Sequence, residues 1–237
     1  DYSGLGQFSF NGFDRTLYIS ATAPVEFSGS FTGGADNRGT IYVQQDNVTF
    51  SAAFDSTNRI KDMILDSFGG SRTLIINTDL YLFNNLYLGA ESQEGYNGST
   101  VRFTSGNSVY VNDIYLRDRQ SNSLIFEHNT TLDSPVDRDE NAGDTIITFE
   151  GASNIYQDIY VGNQTEQPEN SQVNFTSNNP SHRSSLKSQI FSDQLSIGGS
   201  TMGVDAGDVG FFGDVTSDQT TFDLGLNNLT FGMHGNN

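Results

Sequence analysis

The sequence predicts an all-β fold, a parallel β-helix or solenoid with coils of about 25 residues. Three observations predict it. An apolar-x-apolar cassette, usually ending in Phe, recurs as Val25-Glu26-Phe27, Val48-Thr49-Phe50, Leu74-Ile75-Ile76, Val101-Arg102-Phe103, Leu124-Ile125-Phe126, Ile147-Thr148-Phe149, Val173-Asn174-Phe175 and Gly210-Phe211-Phe212. Its third positions are spaced by 23, 26, 27, 23, 23, 26 and 37 residues. A second cassette, often with a central Tyr, keeps time with it: Leu17-Tyr18-Ile19, Ile41-Tyr42-Val43, Leu86-Tyr87-Leu88, Ile114-Tyr115-Leu116, Ile159-Tyr160-Val161, Leu195-Ser196-Ile197 and Phe222-Asp223-Leu224. Finally, Gly follows the second cassette at 89, 162, 198 and 225, and no helical period appears.

Residues i and i+2 of a strand share a face, so the flanking apolar residues point inward and the central Tyr points out. A β-sandwich or jelly roll also yields short alternating strands. It needs alternation, but not a repeated residue identity. Breaks in the pattern favour that alternative: Ile64-Leu65-Asp66 has no Tyr, no clear Tyr cassette lies between 117 and 158, and extra chain enters at 176–209.

Residues 1–16 read as a leading strand or cap, with Phe8, Phe10 and Phe13 among Gly4, Gly6 and Gly12. Residues 17–175 carry the regular solenoid, about six or seven coils and about 30 Å at the usual strand spacing. Residues 176–237 read as interrupted C-terminal coils and end strands. Within them, 176–194, with Pro180, His182, Arg183 and Lys187, read as a loop or short helix. Residues 199–209, with Gly199, Gly203 and Gly207, read as a turn before a last pair of strands.

The chain has 237 residues, 29 acidic against 11 basic, for a net charge of −18. This disfavours nucleic acid, which demands a basic face, and anionic membrane surfaces. It favours solubility and cation binding. No apolar run reaches the length of a membrane helix, so membrane insertion of this chain is not expected. There is no Cys, so disulfides play no part. The chain begins at Asp1, which fits a mature form whose export signal was removed, or a cut fragment.

Three groups could carry chemistry. The run Asp137-Arg138-Asp139-Glu140-Asn141-Ala142-Gly143-Asp144 has D-x-D-x-N spacing, which suits calcium. It departs from an EF-hand, with Gly143 one place late and Thr148 where a bidentate Glu would stand. Asp133, Asp137, Asp139, Asn141 and Asp144 are the candidate ligands, with Glu150 as a further one; a solvated acidic turn is the plainer reading. Asp205, Asp208, Asp214 and Asp218 form a looser acidic group. Second, Tyr18, Tyr42, Tyr87, Tyr115 and Tyr160 form an outward ladder if the coils stack in register. Such a ladder offers flat faces to sugars or to another fibre, or simply stabilises neighbouring strands. Third, an open solenoid end is a template for another chain. Phe8 and Phe10 at one end, and Phe222, Leu224, Leu226 and Phe231 at the other, are the candidate assembly residues.

Catalysis is not expected. There is no G-x-S-x-G elbow, Cys nucleophile, H-E-x-x-H or phosphate loop. His128, His182 and His234 are scattered. Paired carboxylates, as in a polysaccharide-degrading β-helix, carry little information in so acidic a chain. Six N-x-S/T sequons, at Asn47, Asn97, Asn129, Asn163, Asn174 and Asn228, are about what abundant Asn, Ser and Thr produce by chance.

The V-x-F-[ST]-[GS] cassettes (Val25 to Gly29, Val101 to Ser105) and the I-Y-V/L cassettes at Ile41, Ile114 and Ile159 resemble the passenger regions of bacterial type V autotransporters. The likeness covers roughly residues 17–231. It implies a surface β-helix rich in Asn, Gly, Ser and Thr and poor in Cys that serves adhesion or surface presentation, and it transfers no functional residue. The expectation is therefore an extracellular or cell-surface structural protein that self-assembles, with itself as main partner. The alternatives are a glycan-binding adhesin that meets a host surface through the Tyr stripe, and a polysaccharide-degrading enzyme.

Overall fold

The computed structural model describes residues 6–20, 23–90, 97–162, 170–177, 179, 181–206 and 208–232. Gly4, Asn163, Pro180, Gly207 and His234, singled out above, lie outside them. The chain winds into a β-solenoid of about 9 turns of roughly 23 residues. Every strand pairing among the described residues is parallel, which excludes an antiparallel sandwich, and no helix occurs among them.

Each turn supplies three short strands. The first face starts with Thr16–Ile19, Arg38–Val43, Ile60–Leu65, Asn85–Leu88, Asp113–Leu116, Val136–Arg138 and Ile159–Tyr160. The second starts with Val25–Phe27, Val48–Phe50, Arg72–Ile76, Ser99–Phe103, Ser121–Phe126, Asp144–Phe149 and Gln172–Phe175. Toward the C-terminus two long strands, Gln189–Ile197 and Asp208–Ser217, bend across both faces. They merge the faces into one 17-stranded sheet. The third face holds a 3-stranded sheet begun by Phe8–Ser9 and a 7-stranded sheet running from Leu80–Tyr81 to Thr221–Asp223.

Both cassettes point as their spacing predicts. On the second face, Val25, Val48, Leu74, Val101, Leu124, Ile147, Val173 and Leu195 align in register. From Val48 to Val173 their side chains are fully buried. Two residues on, Phe103, Phe126, Phe149 and Phe175 stack with 4.9 Å between successive centroids and rings within 14° of parallel. That distance is the strand spacing itself, so in-register pairing and ring stacking are satisfied by one geometry.

The structure corrects several expectations. The cassette Gly210-Phe211-Phe212 belongs to the first face, where it pairs with Gln189-Ile190-Phe191. Leu195-Ser196-Ile197 belongs to the second, opposite Val173-Asn174-Phe175. Thr221–Asp223 is a third-face strand paired with Thr201–Gly203. Residues 176–194 are neither loop nor helix throughout, because Arg183–Leu186 and Gln189–Ile197 are strands that continue the winding. Thr201–Val204 is likewise a strand inside the segment read as a turn.

Polar residues fill one corner of the core in register. Ser99, Asn122 and Thr145 follow one another where the first face turns into the second, and the Ser171 hydroxyl accepts the Thr145 N–H. All four are buried. The Asn122 amide accepts from the Asp118 N–H and donates to the Asp118 carbonyl, so the turn's own backbone is satisfied inside the protein.

At the N-terminal end, Phe10 is no exposed assembly residue. It is buried, with Phe8 edge-on to it at 5.1 Å, and its ring lies where any Cβ on Gly39 would stand. Gly39 also has φ +76°, so its lack of a side chain serves both turn and lid. Phe8 is half-buried against Phe31.

Candidate functional site

The tyrosine column of the first face is real and interrupted. Pairing aligns Tyr18, Tyr42, Ile64, Tyr87, Tyr115, Asp137, Tyr160, Phe191 and Phe212 along the outer surface. Tyr18 and Tyr42 lie 5.3 Å apart, Tyr87 and Tyr115 5.6 Å and nearly parallel, and Tyr160 and Phe191 4.9 Å. Stacking leaves Tyr42, Tyr87, Tyr115 and Tyr160 half-buried, whereas Tyr18 is exposed. The Arg117 guanidinium sits 4.1 Å from the Tyr87 centroid and 5.2 Å from that of Tyr115. Part of the stripe is therefore occupied by the chain's own cation–π contact.

A second aromatic column was not read from the sequence. On the third face Tyr81 and Tyr110 pair in register and stack at 5.3 Å with rings 3° from parallel. The row continues through Asp133, Tyr156 and Lys187, whose N–H groups bond the Val109, Leu132 and Ile155 carbonyls respectively. Lys187 caps the Tyr156 ring at 4.1 Å. The same turns thus carry the order Tyr, Tyr, Asp, Tyr in both columns: 81, 110, 133 and 156 beside 87, 115, 137 and 160.

The proposed calcium ligands are distributed rather than gathered. Asp133 stands in the third-face column and accepts from Gln157 at 3.0 Å. Asp137 stands in the first-face column. Asp139 caps its own turn by accepting the Asn141 N–H, and exposed Asp144 accepts the Asn170 N–H. Among the described residues, no three His, Cys, Asp or Glu side chains are grouped to hold a metal. Val136–Arg138 is a strand, which places Asp137 on the first face, while Asp139 and Asn141 lie in the turn that follows. Burial, then the charge of Asp158, raises the Asp137 pKa; burial, then Asp137, raises that of Asp113.

Of the looser acidic group, Asp205 is held by Arg183 through two bonds of 2.7 and 2.8 Å. This brings its pKa down to about 2. Arg183 reaches it across Gly203, where a Cβ would collide with the guanidinium, and also meets Asp223 at 3.3 Å. Asp214 and Asp218 are exposed and take no part in that pairing.

One carboxyl is deeply buried. Asp118 is 0 % exposed, with the Ser67 hydroxyl bonded to it and Gly89 leaving the space that it occupies. Desolvation raises its pKa, offset in part by the hydroxyls of Ser67 and Ser99. Its contribution to stability is complete below the unfolded carboxylate value of about 3.9 and is lost as pH rises through the higher folded value. Asp118→Asn is therefore expected to raise the Tm at neutral pH and to flatten its decline above about pH 4. Thermal melts across the acid-to-neutral range check this.

The C-terminal end is apolar. Leu226 is fully exposed, Phe231 54 % and Leu224 39 %, while Phe222, Leu229 and Val215 are half-buried. Among the described residues, the far edges of Thr221–Asp223 and Asn228–Gly232 pair with nothing. Comparison with family models, with curated proteins and with solved structures finds no match.

Proposed function

We propose that the chain is a non-enzymatic structural protein of the cell exterior, a β-solenoid that builds or decorates a surface fibre or layer by joining end to end. The observation that carries this is the last turn, whose strand edges are unpaired among the described residues, around exposed Leu226 and Phe231. Parallel strands of a first turn, Thr16–Ile19, Val25–Phe27 and Phe8–Ser9, offer complementary edges on a second copy. Such a contact is heterologous and propagates into a filament unless it closes into a ring. The exported, surface location rests on the Asn-, Ser-, Thr- and Gly-rich composition and on the resemblance to autotransporter passengers. The charge of −18 opposes close approach of copies, so cations, calcium among them, would strengthen association by screening.

Leu226→Lys with Phe231→Lys is expected to abolish concentration-dependent association while leaving the circular dichroism spectrum unchanged and lowering Tm only by the loss of the Phe231 ring's contacts with Phe211 and Phe222. Association that survives both substitutions, in a folded protein, contradicts this use of the end.

A second reading, a glycan-binding adhesin, is favoured by the doubled aromatic column. Two ladders side by side on the same turns exceed what a single stabilising stack requires.

A further inference from the structure

Between the two aromatic columns lies a groove of about 470 Å³, within the size range of ligand sites. It follows the corner from the third face to the first, across the turns that carry Arg59, Phe83, Tyr110 and Asp133. Three strand spacings give it a length of about 14 Å. Its shape is therefore long and open rather than deep.

Its chemistry is mixed and balanced. Tyr81 covers one face of Tyr110, and Asp133 takes the next place in the column, so no ring of that column covers Tyr110 from the other side. Phe83 adds a second aromatic wall, with the Arg59 guanidinium 4.9 Å from its centroid. The side-chain amide of Asn84 makes no hydrogen bond among the described residues. Exposed Asn112 donates to Asp113 at 2.6 Å and keeps its amide oxygen available. Asp133 uses one carboxylate oxygen on Gln157 and leaves the other free.

We infer that this groove binds a neutral linear oligosaccharide lying along the solenoid axis. The inference rests on the adhesin reading and names its site. A sugar presents an apolar C–H face to Tyr110, and hydroxyls that both donate and accept to Asn84, Asn112 and Asp133. A cationic ligand meets Arg59 in the wall. An anionic one meets Asp133 and the field of an acidic chain.

The test uses the whole chain and a panel of neutral oligosaccharides: β-1,4-linked glucose, β-1,4-linked N-acetylglucosamine and α-linked mannose. Binding is read by isothermal titration and by saturation transfer. At least one panel member is expected to bind, and Asn84→Ala with Asn112→Ala is expected to weaken it about tenfold or more. Neither substitution removes a buried contact, so the fold should be retained, as melting checks. The parallel variant replaces Tyr87, Tyr115 and Tyr160 with Ser. Binding lost there but unchanged in the amide variant overturns the groove and leaves the adhesin reading standing on the outer stripe. No binding by any panel member, or binding of a basic peptide instead, overturns both.

Discussion

Replacing Phe126 by Ala is expected to cost about 3–5 kcal/mol. The ring is fully buried and sandwiched between Phe103 and Phe149 at 4.9 Å on both sides. Strand spacing prevents the neighbours from closing the gap, because Val101, Leu124 and Ile147 hold the ladder in register. The cavity therefore stays open. For a chain of this length the loss corresponds to about 6–20 °C in Tm. In a solenoid each turn touches only its neighbours. Hydrogen exchange should accordingly rise first around Ser99–Phe103, Ser121–Phe126 and Asp144–Phe149 and leave the first turns protected. Uniform loosening of the whole chain would argue against independent, stacked turns.

Gly213→Ala should be almost as damaging, by about 3 kcal/mol or more. Gly213 has φ +140°, and a Cβ there would stand 1.9 Å from the Ser192 carbonyl oxygen. This is backbone, not a side chain that can swing aside. The residue lies opposite Ser192 and Asp193, at the irregularity where the register shifts between Phe191 and Gln194. One residue facing two is a bulge, and here it bends a continuous strand from the first face to the second. The measurement is a denaturant melt, with Gly225→Ala as companion: its φ is also positive, but nothing stands near its Cβ. Gly225→Ala should cost much less.

That bend also explains where sequence reading went astray. Phe211-Phe212 looks like a Phe cassette, yet the chain reaches the second face only after Gly213, at Asp214 to Ser217. The earlier turns were legible because each inward pair flanks one outward residue and one large side chain recurs at a fixed place, as in Val48-Thr49-Phe50. The third face carried no such mark. Ala53–Phe54, Leu80–Tyr81 and Ser153–Ile155 are too short to show alternation, and their pairing depends on turns set by the other two faces.

The outward tyrosines were legible for the same reason as the core. Their interruptions showed as missing Tyr cassettes, but which residues fill the Tyr place, Ile64 and Asp137, follows only from the paired register. The second column escaped because Tyr81, Tyr110 and Tyr156 precede Tyr87, Tyr115 and Tyr160 by differing distances around the corner. Only the paired register brings them into line. The acidic run shows the converse: its carboxylates are close in sequence, yet Asp137 stands on a strand of the first face and Asp139 in the turn that follows it.

End-to-end joining is tested most directly by the mass of the unmodified chain in solution, measured by sedimentation from micromolar to millimolar concentration, with calcium and with chelator. The predicted result is a series of growing species, larger at higher concentration and higher with calcium than without. A single monomer mass at every concentration in both conditions would contradict self-assembly, and would leave the paired aromatic columns as the working surface of the protein.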